Sequence, residues 1–219
     1  MFLNLPAAPR TQTEQVVGFD RGRTVRLLVL PALFAEGDLL RRFTVQALCL
    51  LDERGIDCAL PDLPGLNESL EPLEEQCLTT WKERVDCYLQ AFEATHCLTI
   101  RCGCLIAPAG HRTLCYAPQA GMAQLRPLLR SETVRRKENG EGATMEGLLE
   151  EGRTGGITLA GFDLRSSMVE QLIDALPPAN ATVLDVPAAP HLWRAAEPAH
   201  DPTLAAILAD AVLQATEPA

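Results

Sequence analysis

Hydrophobic residues in this chain fall into short continuous runs that alternate with longer stretches of helical spacing. Continuous aliphatic runs are typical of strands buried on both faces of a parallel sheet. They cover residues 25–30, 56–60, 97–101, 113–117, 157–160 and 181–186. Helical spacing covers residues 39–51, 73–92, 122–137, 144–151, 167–176 and 201–212. The alternation predicts one α/β domain over residues 1–219, with helices on both faces of a mostly parallel sheet.

Two parts of the chain depart from the regular alternation. Residues 1–23 show no strong period, and we expect them to be irregular or to contribute a short edge strand at residues 16–19. Residues 122–156 have the pattern of an insertion built from helices and loops. In addition, the helix 167–176 runs almost directly into the last strand, so the sheet is expected to be truncated near the C-terminus.

Capping signals define the starts of the last two long helices. Ser167 and Glu170 have the spacing of a capping box, in which each side chain bonds the other residue's backbone amide. Asp201 followed by Pro202 predicts an N-cap with proline at the first helical position. Both helices are therefore expected to begin at these residues.

Charge and composition exclude several classes of partner. The formal net charge is -10, from 29 acidic and 19 basic residues, which disfavours nucleic acid and anionic membrane surfaces. No apolar run approaches the roughly 20 residues of a membrane-spanning helix, and the N-terminus lacks the pattern of a secretory signal. We expect a cytoplasmic protein with no membrane span. The 8 cysteines are expected to be mostly reduced core residues.

Ligands of an open parallel sheet bind beyond the carboxyl ends of its strands, so the loops there are the places to search. The loop after the second strand reads Pro61-Asp62-Leu63-Pro64-Gly65. Its prolines fix an extended exit, and its glycine permits a tight turn. Asp62 can accept amide hydrogens within its own loop, which favours a structural role. Its position at the carboxyl edge also makes Asp62 a candidate ligand-binding residue.

The loop after the third strand, residues 99–103, has the pattern of a sharp strand-to-helix elbow, which needs small residues two positions either side of its apex. An apex at Arg101 places Thr99 and Gly103 in those crowded positions, whereas an apex at Cys102 places bulkier residues there. Sterics therefore favour Arg101. A guanidinium stays protonated and cannot attack a substrate, but it is well suited to holding a carboxylate or phosphate.

A catalytic alternative uses the thiols beside this apex. His191 follows the last predicted strand, where a general base is expected, and Asp163 or Asp185 could orient it. Cys102 or Cys104 would then be the nucleophile, since a thiolate needs less activation than a serine hydroxyl.

A metal or redox site is a further alternative for the cysteine pair of the elbow. Its ligands would be drawn from Cys102, Cys104, Cys97, Cys115, His96 and His111. Zinc sites more often use wider cysteine spacing, and core packing explains these residues better. We therefore predict no metal and no cofactor.

The loop signature at residues 61–65 and the elbow resemble those of α/β-hydrolases. The chain further resembles a narrower family, the exosortase A system-associated hydrolases of bacteria. The resemblance is carried by Phe34-Ala35-Glu36, Arg41-Arg42, Pro61-Asp62-Leu63, Ile100-Arg101-Cys102-Gly103-Cys104-Leu105, Ala160-Gly161-Phe162-Asp163-Leu164 and the segment around Trp193. It implies a three-layer α/β-hydrolase-like fold and a link to exopolysaccharide and protein-sorting systems. It also implies that the elbow arginine is a family feature.

The first functional hypothesis is a catalytically degenerate hydrolase-fold protein that binds a small anionic molecule, an acyl compound or a protein partner. Five residues are its candidate ligand contacts: Arg101, Phe34, Glu36, Asp62 and Trp193. The second hypothesis is an active esterase or thioesterase with Cys102 or Cys104 as nucleophile, His191 as base and Asp163 as acid.

Overall fold

The computed structural model describes residues 2–6 and 13–217. Its strands are β1 (Phe2–Pro6), β2 (Thr13–Phe19), β3 (Arg26–Leu30), β4 (Asp57–Pro61), β5 (His96–Ile100), β6 (Arg112–Tyr116), β7 (Ile157–Leu159), β8 (Phe162–Leu164) and β9 (Thr182–Val183). Its α-helices are α1 (Ala35–Glu53), α2 (Leu78–Phe92), α3 (Gly121–Glu138), α4 (Met145–Gly155), α5 (Ser166–Asp174), α6 (Pro190–Trp193) and α7 (Pro202–Thr216). Two 3-10 helices cover Leu73–Glu75 and Arg101–Ile106. In this described part, no helix combines the length and apolar character needed to span a membrane.

The main sheet has seven strands in the order β1-β2-β4-β3-β5-β6-β9. The strands from β4 to β9 in this order are parallel, whereas β1 and β2 form an antiparallel hairpin whose second strand pairs with β4. Strands β7 and β8 form a separate antiparallel hairpin. The prediction of a mostly parallel α/β sheet is confirmed.

Strand residues alternate between two hydrophobic clusters, one on each face of the sheet. Along β3, Leu28 and Leu30 belong to the cluster beneath α2, α3 and α5, whereas Leu27 and Val29 belong to the cluster beneath α1, α6 and α7. This alternation follows from the two-residue repeat of a strand. Burial on both faces explains why β3, β4 and β5 are continuous apolar runs in the sequence, and it produces three layers.

The N-terminal expectation was incomplete. The strand predicted at residues 16–19 is longer, and it lies between β1 and β4 rather than at the sheet edge. Gly18 permits this pairing, because a Cβ at that position would lie 2.1 Å from the carbonyl oxygen of Cys58. The position of β2 depends on this close approach of two backbones rather than on a run of apolar side chains. Its hydrophobic pattern in the sequence is therefore weak. Residues 1 and 7–12 of the predicted irregular segment lie outside the described residues.

Two local predictions near the C-terminus were wrong. Helix α5 has Arg165 at its N-cap with no side-chain cap hydrogen bond, and the Ser167 hydroxyl is buried without a partner, so no capping box forms. The strand predicted over residues 181–186 is only two residues long, and it pairs with β6 at the sheet edge. The N-cap at Asp201 is confirmed, since its Oδ1 accepts a hydrogen bond of 2.9 Å from the Leu204 amide.

An ion-pair network connects α3 to α4 in the predicted insertion. The Glu132 carboxylate, buried in the helix interface, accepts hydrogen bonds from Arg135 at 2.6 Å and Arg136 at 2.9 Å. Arg136 also pairs with Glu151 on α4 at 2.8 Å. The hydrogen bond from Arg135, and then that from Arg136, lowers the pKa of Glu132 to about 2.

Replacing Glu132→Gln is expected to lower the free energy of unfolding at neutral pH by about 1–2 kcal/mol, since three hydrogen bonds from arginines lose their charged acceptor. The folded-state pKa of Glu132 lies below the unfolded-state value of about 4.3, so its contribution is present above that value. The contribution disappears as pH falls toward about 2. Urea unfolding of wild type and variant across this pH range measures the difference.

The exposed Glu150→Gln variant serves as the control, because its ion pair with Arg153 is long at 3.4 Å and both side chains are exposed. The free energy of unfolding of Glu150→Gln is expected to lie within about 0.5 kcal/mol of the wild-type value. Equal unfolding free energies for wild type and Glu132→Gln at neutral pH would contradict the stabilising role of the network.

Candidate functional site

Arg101 forms the apex of a tight elbow between β5 and the following 3-10 helix. Its φ angle of 54° lies in the left-handed region, which is uncommon for any residue with a side chain and is stored as backbone strain. Gly103 is required for the bend, because a Cβ there would lie 2.4 Å from the Pro31 carbonyl oxygen. The fully buried Thr99 occupies the other crowded position. The elbow therefore has the register that its small flanking residues predicted.

The guanidinium of Arg101 is held from several directions. Its Nε and Nη2 donate to the two carboxylate oxygens of Glu36 at 3.0 and 3.2 Å. Nη1 donates to the Ala117 carbonyl at 3.2 Å, and Nη2 also donates to the side chain of Gln119. The guanidinium carbon lies 4.1 Å from the ring centroid of Trp193, a cation–π contact. Four of the five guanidinium N–H donors are thereby used.

A cavity of about 440 Å³ lies beside this arginine. Its polar lining consists of Glu36, Arg101, Gln119, Gln124 and Arg194. Its apolar lining consists of Ala35, Leu39, Pro118, Ala123, Pro127, Leu128 and Trp193. The first turn of α1, the elbow, the loop after β6, α3 and the end of α6 all contribute residues, which places the cavity at the carboxyl edge of the sheet. We call it the elbow cavity.

Glu36 is the acidic residue of the elbow cavity. Its side chain is only 13% exposed, and burial raises its pKa above the ordinary range even though Arg101 and, more weakly, Arg194 favour the charged form. The Glu36–Arg101 pair is thus a partly desolvated ion pair with two parallel hydrogen bonds, the strongest geometry for such a pair. With these two charges cancelling, Arg194 supplies the remaining charge in the cavity lining.

The thiol of Cys102 lies inside the protein rather than at the apex. It is fully buried, accepts a hydrogen bond of 3.3 Å from the Leu33 amide, and donates to the Gln124 side chain at 3.3 Å. Gln124 closes the ring by donating to the Leu33 carbonyl at 3.2 Å. Burial raises the pKa of Cys102, and it raises that of Cys104 to about 11. Both thiols are therefore protonated at neutral pH.

The three candidate catalytic side chains do not form a hydrogen-bonded triad in the described structure. His191 is exposed on α6, and its Nε2 lies 3.2 Å from the Asp201 carboxylate. Asp163 lies on the exposed face of β8, where it accepts a hydrogen bond of 2.5 Å from Thr158. The structure thus pairs His191 with Asp201 rather than with Asp163, while Cys102 is bonded to Gln124.

Two of the predicted ligand contacts point away from the elbow cavity. The ring of Phe34 packs against Trp81 and Phe162, with centroid distances of 5.8 and 5.4 Å, in the hydrophobic cluster under α2. Asp62 is buried and forms an ion pair of 2.8 Å with Arg41. Neither residue lines the cavity, whereas the other three predicted contacts do.

Sequence reasoning missed three polar residues of the cavity, which are Gln119, Gln124 and Arg194. Gln119 follows β6 at the carboxyl edge, so its position was a usable signal. Gln124 is a buried amide in the first turn of α3, and only the folded structure shows that its partners are Leu33 and Cys102. Among residues 2–6 and 13–217, no group of three His, Cys, Asp or Glu side chains is arranged to hold a metal ion.

Solved structures similar to this chain have the α/β-hydrolase fold. A protein from Agrobacterium vitis S4, described as a candidate hydrolase, aligns with a TM-score of 0.53 and 14% identity over 99% of both chains. Mouse alpha/beta hydrolase domain-containing protein 10 aligns with a TM-score of 0.49 and 15% identity, over 84% of this chain and 75% of its own. Est1E from Butyrivibrio proteoclasticus, solved with ferulic acid, aligns with a TM-score of 0.49 and 12% identity, over 77% of this chain and 69% of its own.

No family model and no curated protein matches the sequence. At these identities the structural similarity defines the fold alone. The chain is an α/β-hydrolase-fold protein with a mostly parallel central sheet. The narrower resemblance to the exosortase A system-associated hydrolases stays a prediction.

The elbow geometry predicts that Gly103→Ala destabilises the protein by about 1–3 kcal/mol, because the added methyl group overlaps the Pro31 and Leu30 carbonyls. Gly142→Ala is the matched control, since a Cβ there meets nothing within 4 Å. Thermal and urea unfolding of both variants measure the effect. Unfolding free energies of Gly103→Ala equal to wild type would show that the backbone does not approach this closely.

Proposed function

We propose that this protein is a catalytically degenerate member of the α/β-hydrolase fold that binds a small anionic ligand in the elbow cavity. One observation carries the proposal: a permanently charged guanidinium occupies the apex where a hydrolase carries its nucleophile. A guanidinium cannot attack an acyl carbon, but its planar donor fork binds carboxylates.

The lining of the elbow cavity supports a ligand with an anionic head and an apolar body. Leu39, Pro127 and Leu128 provide apolar walls, while Arg101 and Arg194 provide the cationic groups. Ligand sites of this kind are mostly apolar, with a few polar groups that fix the orientation of the ligand. A medium-chain carboxylate or an acyl compound has the matching chemistry. We further propose, from the sequence resemblance, that the ligand or a protein partner belongs to a bacterial exopolysaccharide or protein-sorting system.

The alternative function is an esterase or thioesterase with a cysteine nucleophile and His191 as base. The His191–Asp201 pair favours it, because a carboxylate that orients an imidazole is one part of a catalytic triad. The thiols oppose it, since Cys102 is fully buried and burial raises the pKa of Cys104 to about 11. Nucleophilic attack requires a thiolate that is accessible to substrate.

The binding proposal predicts that Arg101→Gln weakens octanoate binding about tenfold or more, because the cationic partner of the carboxylate is removed. Isothermal titration calorimetry with octanoate measures the dissociation constant. Arg153→Gln is the matched control, since Arg153 is an exposed arginine on α4 that does not line the cavity. It is expected to bind as wild type does.

Removing Arg101 leaves Glu36 buried without its counter-ion, so the single variant is expected to be less stable. The double variant Arg101→Gln with Glu36→Gln removes both charges and leaves no unpaired buried carboxylate. Its octanoate binding can therefore be compared with that of wild type. Octanoate binding unchanged in both Arg101 variants, or absent from the wild type, would contradict the proposed function.

Thiol reactivity discriminates between the two functions. In the native protein near pH 8, iodoacetamide is expected to label the exposed Cys49, whereas Cys102 and Cys104 stay unlabelled until urea is added. Peptide mass spectrometry measures the labelling at each site. Rapid labelling of Cys102 or Cys104, together with acyl-ester hydrolysis that is lost on its replacement by alanine, would establish the alternative.

A further inference from the structure

We propose that Glu36 is an internal competitor for the elbow cavity, whose carboxylate occupies the position that the carboxylate of an external ligand takes on Arg101. Binding of that ligand then requires Glu36 to leave the guanidinium. This inference rests on the proposed function. It adds the residue that sets how tightly the elbow cavity binds its ligand and which class of ligand it binds.

Geometry supports the competition directly. Glu36 contacts the Nε–Nη2 edge of Arg101 with both oxygens, at 3.0 and 3.2 Å, which is the side-on arrangement that an external carboxylate prefers. The other edge donates to the Ala117 carbonyl and the Gln119 side chain, and the flat face of the guanidinium lies over Trp193. The edge held by Glu36 is therefore the one on which a ligand carboxylate can form two parallel hydrogen bonds.

Charge balance makes the exchange selective. While Glu36 is bound, the pair contributes no net charge, and a ligand that displaces Glu36 replaces one carboxylate–guanidinium pair with another. The electrostatic gain of binding is then small, and contacts between the ligand body and apolar walls such as Leu39 and Leu128 must supply most of the affinity. The site is thereby selective for carboxylates with an apolar chain over small inorganic anions.

A ligand that displaces the Glu36 carboxylate from Arg101 leaves that carboxylate in a largely buried environment, which disfavours its charged form. Its side chain is 13% exposed, and burial already raises its pKa while Arg101 is in contact. The other ionisable groups that interact with it are Arg194 after α6 and the buried Cys102 of the elbow. Loss of Arg101 removes the largest favourable charge, so displaced Glu36 takes up a proton. Ligand binding is therefore coupled to proton uptake and tightens as pH falls.

The experiment is octanoate titration of Glu36→Gln, which keeps the size of the side chain and removes its charge. Octanoate is expected to bind this variant about tenfold more tightly than wild type. Wild-type affinity is expected to increase from about pH 8 to about pH 6, and this dependence should be lost in the variant. Glu83→Gln is the control, since Glu83 is an exposed glutamate on α2 outside the cavity.

Two further probes identify the ligand class. Octanol has the same apolar chain without the charge, and inorganic phosphate has charge without the chain. Octanol is not expected to gain affinity from Glu36→Gln, because it carries no charge for the freed guanidinium. Phosphate is expected to bind both wild type and Glu36→Gln much more weakly than octanoate, because it makes no contact with the apolar walls. Phosphate binding as tight as octanoate binding would overturn the assignment to apolar carboxylates.

The outcomes separate the inference from the proposed function. Octanoate binding that depends on Arg101 but does not tighten in Glu36→Gln would overturn the competition and leave the proposed function standing. Binding that does not depend on Arg101, or no binding to wild type and Glu36→Gln alike, would overturn both. A thermal unfolding scan of each variant confirms that the folded protein is being compared.

Discussion

The ion pair between Arg101 and Glu36 joins the end of β5 to the first turn of α1, and the arrangement of the elbow cavity depends on it. The pair forms because the backbone at Arg101 is held at positive φ, which presents the side chain at the carboxyl edge of the sheet. Gly103 permits that bend, and Trp193 provides the surface on which the guanidinium rests. A strained backbone position is thus stabilised by charge, stacking and packing together.

The same elbow determines the contacts of the neighbouring side chains. With Arg101 at the apex, Cys102 turns inward and its thiol enters a closed ring of hydrogen bonds with Leu33 and Gln124. The Leu33 amide, in the loop between β3 and α1, donates its hydrogen bond to that sulfur. The imidazole of His191 has its own carboxylate partner on the surface. In the α/β-hydrolase fold of this chain, these side chains make contacts with one another and with the backbone near the elbow and on α6.

Sequence patterns predicted the elements that are buried on both faces and failed where pairing is marginal. Strands β3, β4 and β5 were evident because most of their residues are buried and pack into one of the two hydrophobic clusters. Strand β9 was predicted over residues 181–186 but covers only Thr182–Val183, because apolar composition does not reveal where the chain leaves its pairing with β6. Ser167 illustrates the same limit for caps: its spacing to Glu170 fits a capping box, but the N-cap of α5 is Arg165, two residues earlier.

By itself the sequence determined the fold class, the position of the elbow and the arginine at its apex. These follow from local rules, namely the repeat of apolar residues and the small residues that a sharp turn requires. Only the tertiary structure decided what the arginine contacts. Glu36 and Trp193 lie 65 and 92 residues from Arg101 along the chain. They meet it because parallel strands bring the loops at their carboxyl ends to one edge of the sheet. Such contacts depend on the packing of several elements at once, which no local pattern encodes.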